Sequence, residues 1–439
     1  MKHVLVLVTV LTSFTAYAQR QLSYEEAVQI ALQKNVDYNV QQNEVVRAEA
    51  QKLQGIMGMA PSARLNSDYF GRRGRQQVQN PETSQVEFPD VVSNNLQYSI
   101  GTELVIFNGL NRLQTFRSNI NNLESQEFAL ERSRQNTIFN VAQQYLQVLL
   151  SDELYRIATD NHRNQEENLK RIEGQVEVGA LAITDKYNQL AEVKRLENLM
   201  IRAKNTFQND KLVLAQTLQL GPGTDFVLLN PGFNLNHVLQ LQIDLDDLYQ
   251  VALTNRPDYN QQRALVARNS ITVSALRGSY FPTLSAFYTY GSSYNSRVRF
   301  SGVEQLTTIN AYQFYGLTLS VPILNGFNTR TRVYSAKLDR ENSLLNEQNL
   351  KTVIYRDVTT AYQNFEAAKA GYLASLAQFE AANIAYSLEK ERYELGASAF
   401  FEFSQAANAL IQAQAAKAQS EYTLMFQETI LNYQVGQLR

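Results

Sequence analysis

Between Leu96 and Ile106 the chain alternates. Leu96, Tyr98, Ile100, Thr102, Leu104 and Ile106 fall on one side, and Gln97, Ser99, Gly101, Glu103 and Val105 on the other. A period of two predicts a strand with one apolar and one mostly polar face. Tyr315, Leu317, Leu319 and Val321 repeat the pattern against Gly316, Thr318 and Ser320. Upstream, Leu65 to Tyr69 and Leu284 to Tyr294 read as the partners, giving strand hairpins over 62–107 and 283–323. The period then changes. Leu123, Leu130, Ile138, Val141, Tyr145 and Leu149 recur at helical spacing, as do Leu338, Leu345, Val353, Val358, Tyr362 and Phe365.

No proline occurs from Asp90 to Gly221, nor from Ile323 to Arg439, and both stretches are rich in helix formers. Each is broken once, near Gly179 and near Gly396. That predicts two helical hairpins. Their first arms, 111–176 and 328–393, each run about 66 residues, or roughly 100 Å, far beyond an ordinary globular helix and suited to coiled-coil packing. Ala406, Ala407, Ala409, Ala413, Ala415, Ala416 and Ala418 keep one returning arm thin. Shorter helices are predicted over 22–58 and 244–278.

These elements occur twice. ALQKNVDY at 31–38 matches ALTNRPDY at 252–259, and Pro61 and Tyr69 match Pro282 and Tyr290 at the same offset of 221. IFNGLN at 106–111 matches ILNGFN at 323–328, and VGALAITD at 178–185 matches LGASAFFE at 395–402, both at offset 217. The four-residue difference falls between Tyr69 and Ile106, where a loop absorbs it. The expected organisation is a leader over 1–18, a first copy over 19–220, a connection over 221–243 that opens Gly221-Pro222-Gly223, and a second copy over 244–439.

The leader follows from Lys2 and His3, the apolar run Val4 to Leu11, and Ala16-Tyr17-Ala18 before Gln19, the three parts of a secretory signal peptide. No later run reaches the apolar length of a transmembrane helix. The net charge is −2 over 439 residues, with no basic surplus to hold nucleic acid. Cysteine is absent, which excludes disulfides, thiolate metal sites and lipid on cysteine. The three histidines, His3, His162 and His237, are too scattered for a histidine metal site, and no metal or cofactor is expected. No nucleotide, zinc-protease or serine-hydrolase motif is present, and Glu25-Glu26 and Asp246-Asp247 merely open predicted helices, so an enzyme is not expected.

Tyr280, Tyr288, Tyr290, Tyr294, Tyr312 and Tyr315 give the strands the aromatic density of a membrane interface. A soluble sandwich edge is the alternative for this segment alone. Two hairpins make four strands, and lipid tolerates no open sheet edge, because its N–H and C=O groups find no partner there. Four strands span a membrane only if several chains pool them. On this reading Leu104, Leu317 and Leu319 face lipid, and Glu103 and Ser320 face a lumen.

A signal peptide, a duplication, two long hairpins and two strand hairpins together resemble the TolC-type outer-membrane efflux channels over nearly all the mature chain. VGALAITDKYNQ at 178–189, YELGASAFFEFSQA at 393–406 and the paired FNG and LNG carry most of the likeness. The resemblance implies a mainly α chain with a transmembrane β-barrel portion: a homotrimer whose twelve-stranded barrel continues as a coiled-coil α-barrel through the periplasm. It implies partners too, a periplasmic adaptor (membrane fusion protein) and an inner-membrane pump. Gly179, Ala180, Gly396 and Ala397 match the tip turns and adaptor contacts. Asp185, Tyr393 and Glu402 match a gate, with a hydrogen bond between Tyr393 and Asp185 holding the tip closed. Two positions depart from the pattern: Gln405 stands where a second acid is common, and Ser398 where a basic residue often follows the turn. A periplasmic coiled-coil adaptor or scaffold is the competing reading, disfavoured by the second hairpin and by the barrel-like alternation.

Overall fold

The computed structural model describes residues 20–79, 84–221, 223–230, 232 and 235–438. The expected signal peptide and parts of the 221–243 connection lie outside them. Among the described residues, two compact units are formed.

The first unit holds 20–41, 130–257 and 352–438. It begins with strand β1 (Arg20–Leu22) and helix α1 (Tyr24–Lys34), whose Ser23 cap accepts from the Glu26 amide at 3.1 Å. It also holds most of the long helix α3 (Asn111–Glu177) and its return α4 (Ile183–Thr217), then β6 (Phe226–Leu228), α5 (Leu235–Gln240) and α6 (Leu245–Asn255). The later part of α9 (Asn328–Glu394) and its return α10 (Phe400–Gln434) complete it. Both long arms have 67 residues and both returns 35, so the two hairpins match in length.

Two apolar clusters fill this unit. One gathers Leu22, Ala27, Val141, Tyr145, Leu149, Leu214 and Phe226. The other gathers Val238, Ala361, Phe365, Tyr372, Leu424 and Leu431. In the first, β1 pairs in parallel with β6, an element the alternation pattern is too short to reveal. The buried Tyr145 hydroxyl lies 3.0 Å from the Leu22 carbonyl and 2.6 Å from that of Leu229, and shares its proton between them. It thereby satisfies backbone acceptors at the end of a pairing only three residues long.

The second unit holds 42–129 and 258–351. Strands β2 (Ser62–Arg75), β5 (Asp90–Phe107), β7 (Thr283–Asn295) and β8 (Tyr312–Ser320) form one antiparallel sheet in that order. A small ladder, β3 (Val78–Gln79) with β4 (Val86–Glu87), extends the first hairpin, and a short turn, α8 (Gly302–Glu304), lies in the second. The register joins Leu104, Ala286 and Leu317 in one row and Leu284 and Leu319 in another, so all share a face. Glu103 and Ser320 stand in the alternate rows, on the opposite face. The expected grouping holds up to Val105. There a bulge intervenes, and Phe107 rather than Ile106 pairs with Leu284, because the extra residue shifts the alternation by one.

Each short helix expected over 22–58 and 244–278 is broken in two. Helix α1 gives way to α2 (Val36–Met57) at Asn35, whose Oδ1 accepts from the Tyr38 amide at 2.9 Å and starts the next helix. Helix α6 gives way to α7 (Pro257–Arg277) at Arg256, which the following proline holds extended at ψ 118°. Where the strands lead into α3, Gly109 has φ 66° and so little room that a Cβ would lie 2.2 Å from the Gly278 carbonyl oxygen. Only glycine allows that approach. Leu123, Ile138, Val141 and Phe365 are buried as their periodicity requires, but Leu338 and Leu345 remain exposed, 42% and 57%, on a face this chain does not cover.

Candidate gate at the tips of the helical hairpins

Helix α3 ends at Glu177 because Gly179 turns left-handed, φ 74°. Its amide bonds the Val176 carbonyl at 3.0 Å, and the Ala180 amide bonds that of Gln175 at 2.8 Å. This double closure is the Schellman arrangement, which satisfies carbonyls a helix end leaves orphaned. The chain then extends through Ala182, and Asp185 sits in the first turn of α4, where its charge suits the helix dipole. Lys186 reaches back to Glu173 at 3.1 Å. Deeper between the arms, Gln189 is 1% exposed and donates to the Gln165 carbonyl and side chain at 3.0 and 2.9 Å, while Asn168 donates to the same side chain at 3.1 Å.

The second tip repeats the backbone and changes the packing. Gly396, φ 72°, and Ala397 make the same two bonds, to Tyr393 and Arg392. Between the arms lie rings instead of amides. Tyr393 stacks on buried Phe403, centroids 4.9 Å apart and planes 10° apart, with Phe400 edge-on at 6.2 Å and Tyr386 beyond Phe403 at 5.9 Å. Ser398, at the position where the resemblance implies a basic residue, lies within hydrogen-bond reach of the carboxylates of Glu389 and Glu402, the latter at 2.9 Å. Arg392 neutralises Glu389 at 3.0 Å. Positive charge thus reaches this cluster from α9 rather than from the turn.

The two tips are tied together. Arg171 bonds Glu394 at 2.5 Å, Arg195 bonds Asn408, and Asn161 bonds Gln414 at 3.0 Å. Between them lies a cavity of about 290 Å³ lined by Ile172, Ala180, Leu181, Lys390, Tyr393 and Phe403, among others. The Tyr393 hydroxyl is buried with no hydrogen-bond partner. Burial, and then the nearby charge of Asp185, hold its pKa above the ordinary tyrosine value. Asp185 and Tyr393 are therefore neighbours, as expected, but the hydrogen bond expected between them is not made within the chain. The stack on Phe403 fixes the ring elsewhere. Glu402 and Gln405 are exposed on α10, Ala397 is exposed at the turn, and Ala180 lines the cavity.

Sequence reasoning missed the aromatic core and the Arg171–Glu394 pair. The rings were signalled by the sevenfold spacing of Tyr386, Tyr393 and Phe400, with Phe403 one turn on. The ion pair had no sequence signal, since its partners lie 223 residues apart. Among the described residues no group of three or more histidine, aspartate or glutamate side chains is placed to hold a metal, and no helix is long and apolar enough to cross a membrane.

Residues 248–433 match the sequence model of a family described as outer membrane efflux protein. The chain is 22% identical over 333 residues to the outer membrane efflux protein BepC of Brucella suis biovar 1 (strain 1330), covering 74% of this chain and 69% of that one. It is 26% identical over 244 residues to the toxin and drug export protein A of Aggregatibacter actinomycetemcomitans, spanning half of that protein's length. The CmeC outer membrane channel of Campylobacter jejuni superimposes with a TM-score of 0.77 at 17% identity, over 94% of this chain and 85% of that one. The outer membrane efflux protein model thus matches the second half of the chain, and the fold of the solved channel extends over 94% of it.

Proposed function

We propose that three copies of this chain close one barrel in the outer membrane and continue into the periplasm as the exit duct of an efflux or type I secretion system. The observation that carries this is the sheet. It has four strands, one face of leucines and tyrosines, and two edges, β2 and β8, that pair on one side only. Leu65, Tyr69, Tyr315, Leu317 and Leu319 are each at least 65% exposed. Such edges are forbidden in lipid. Two copies would give about eight strands, a barrel filled by its own side chains, whereas three give twelve and leave a lumen. The uncovered Leu338 and Leu345 suit a neighbouring copy.

At the tips, Glu402 from three copies would form one acidic ring, with Gln405 adding no second charge. Asp185 and Tyr393 complete the gate, and Gly179, Ala180, Gly396 and Ala397 offer the turns an adaptor protein would engage, with an inner-membrane pump beyond it. The duct conducts and does no bond chemistry; energy comes from the pump. The transported substrate is left open between small molecules, metal ions and proteins.

The test is mass in a mild detergent, expected at three times the mature chain. Leu317→Arg should prevent assembly, at a cost of about 2–4 kcal/mol near the bilayer midplane, while Ser320→Arg is tolerated. A monodisperse monomer that keeps its strand signal overturns the barrel, and the reverse pattern of variants inverts the faces.

A further inference from the structure

We propose that the connection between β7 and β8, residues 296–311, is a docking site for the phosphate groups of anionic lipid in the outer leaflet. This rests on the reading of the sheet as part of an outer-membrane barrel.

The strand ends near 62, 107, 283 and 320 adjoin helices, so the 75, 90, 295 and 312 ends form the distal rim. At that rim the connection folds back onto the sheet. Gln305 is fully buried: its side chain accepts from the Asn295 amide at 2.9 Å and donates to the Phe300 carbonyl at 2.9 Å. The Tyr98 hydroxyl donates to the Leu306 carbonyl at 3.2 Å, Ser292 donates to that of Gln305 at 3.4 Å, and Gly302 lies against the Tyr294 ring. Tyr98, Ser292 and Tyr294 alternate in step with Leu104, Leu317 and Leu319 and so share their face. The connection is therefore fastened to the apolar face, the one that meets lipid.

What it displays there is Arg297-Val298-Arg299-Phe300, all exposed. Phe300 is 52% exposed and Val303 in the following turn 73%. Arg73 and Arg75 of β2 fall on the same face at the same rim, opposite Val92 and Asp90. Asp90, Glu304 and, in the β3–β4 ladder, Glu87 are the acids of the described residues there, against Arg73, Arg75, Arg297 and Arg299, which leaves the arginines in surplus. Apolar groups beside guanidinium groups at a membrane interface match a lipid whose chains take the former and whose phosphates take the latter. The planar guanidinium binds phosphate in a two-pronged geometry that an ammonium lacks, and each basic residue at an anionic surface adds attraction.

The probe is bisphosphorylated lipid A in neutral detergent micelles, offered to the full-length trimer, with retained lipid counted by native mass spectrometry. The comparators are dephosphorylated lipid A and inorganic phosphate. Wild type should retain the bisphosphorylated form about tenfold better than the dephosphorylated one, and Arg297→Gln/Arg299→Gln should abolish most of that preference. Arg297→Lys/Arg299→Lys should restore part of it, and trimer mass verifies that each variant folds. Equal retention by wild type and the Gln pair overturns the proposal, as does displacement by millimolar inorganic phosphate, which would mark a free-anion site. A changed ion selectivity with unchanged lipid retention would place the arginines in the lumen and overturn it too. A chain that neither trimerises nor enters membranes overturns the duct itself, whereas a trimer indifferent to lipid phosphate overturns only this inference.

Discussion

Gly179 and Gly396 stand at φ 74° and 72° and close their helices with the same pair of backbone bonds, yet what lies between the arms differs completely. The first tip is held by the amides of Gln165, Asn168 and Gln189, the second by the rings of Tyr386, Tyr393, Phe400 and Phe403. A turn is dictated by backbone chemistry, and only a left-handed residue satisfies it. Packing has many solutions, so the two hairpins differ there while sharing the turn. A buried amide network demands one register, because a one-residue slip leaves donors unpaired. Stacked rings hold by area and tolerate small shifts. The second tip is thus the one able to move without losing its core.

The sharpest way to break this contrast is to remove the central ring. Phe403→Ala should cost about 3–5 kcal/mol of local stability. Hydrogen exchange of the folded protein should show protection lost over 386–405 and kept over 165–190. If both tips loosen together, they form one cooperative body and the contrast has no mechanical meaning.

Gln189→Ala comes next. It removes both of its bonds to Gln165, whose side chain keeps only the one from Asn168, for about 1–3 kcal/mol. Exchange should now rise at the first tip alone. Gln189→Leu, which removes the same two bonds but fills the volume, should recover part of the loss. Full recovery would mean that the amides contribute bulk and no register.

Much of this architecture was legible beforehand. Period-two alternation marked two of the four long strands and the other two were read as their partners, and the proline-free runs found the 67-residue arms within a residue of their ends. The ring spacing at the second tip was a local signal passed over, whereas the rest of what escaped had none. Strands β1 and β6 are three residues each, shorter than any alternation can mark, and exist because Tyr145 and its cluster hold them. Leu338 and Leu345 carry the helical period of a buried face and are exposed, since periodicity states that a face needs cover without stating whose. At the candidate gate the turns and Asp185 fell where the motif put them. The Tyr393 hydroxyl did not find Asp185, because stacking on Phe403 outweighed one hydrogen bond of about 1 kcal/mol.

Tyr393→Phe therefore sharpens the comparison in an unusual direction. A buried hydroxyl without a partner is a cost, so its removal should raise the second tip's stability by up to about 1 kcal/mol and leave conductance in planar bilayers unchanged. A rise in conductance would reveal a partner on a neighbouring copy. The pH response has a defined sign. Because burial raises this phenol's pKa, the folded tip binds the proton more tightly than the unfolded chain does. Stability is level below the unfolded tyrosine value, near 10, and falls as pH rises through and above it. Tyr393→Phe should remove that alkaline loss.

The smallest effect tests whether the two tips act together. Arg171 and Glu394 meet at 2.5 Å but are 49% and 46% exposed, so water and salt screen them. Such a pair contributes about 0.2–1 kcal/mol per chain. In the proposed trimer three such pairs would act together, and their sum would oppose any swing of the second hairpin from the first. A double-mutant cycle of Arg171→Ala and Glu394→Ala, read as single-channel conductance, should give coupling that shrinks as ionic strength rises past physiological levels, where the screening length drops below about 8 Å. Hydrogen exchange at both turns should change little, since neither core contains the pair. Coupling that is insensitive to salt would mean that the pair is buried against a neighbouring copy, and the tie would then lie between chains rather than between the two tips of one.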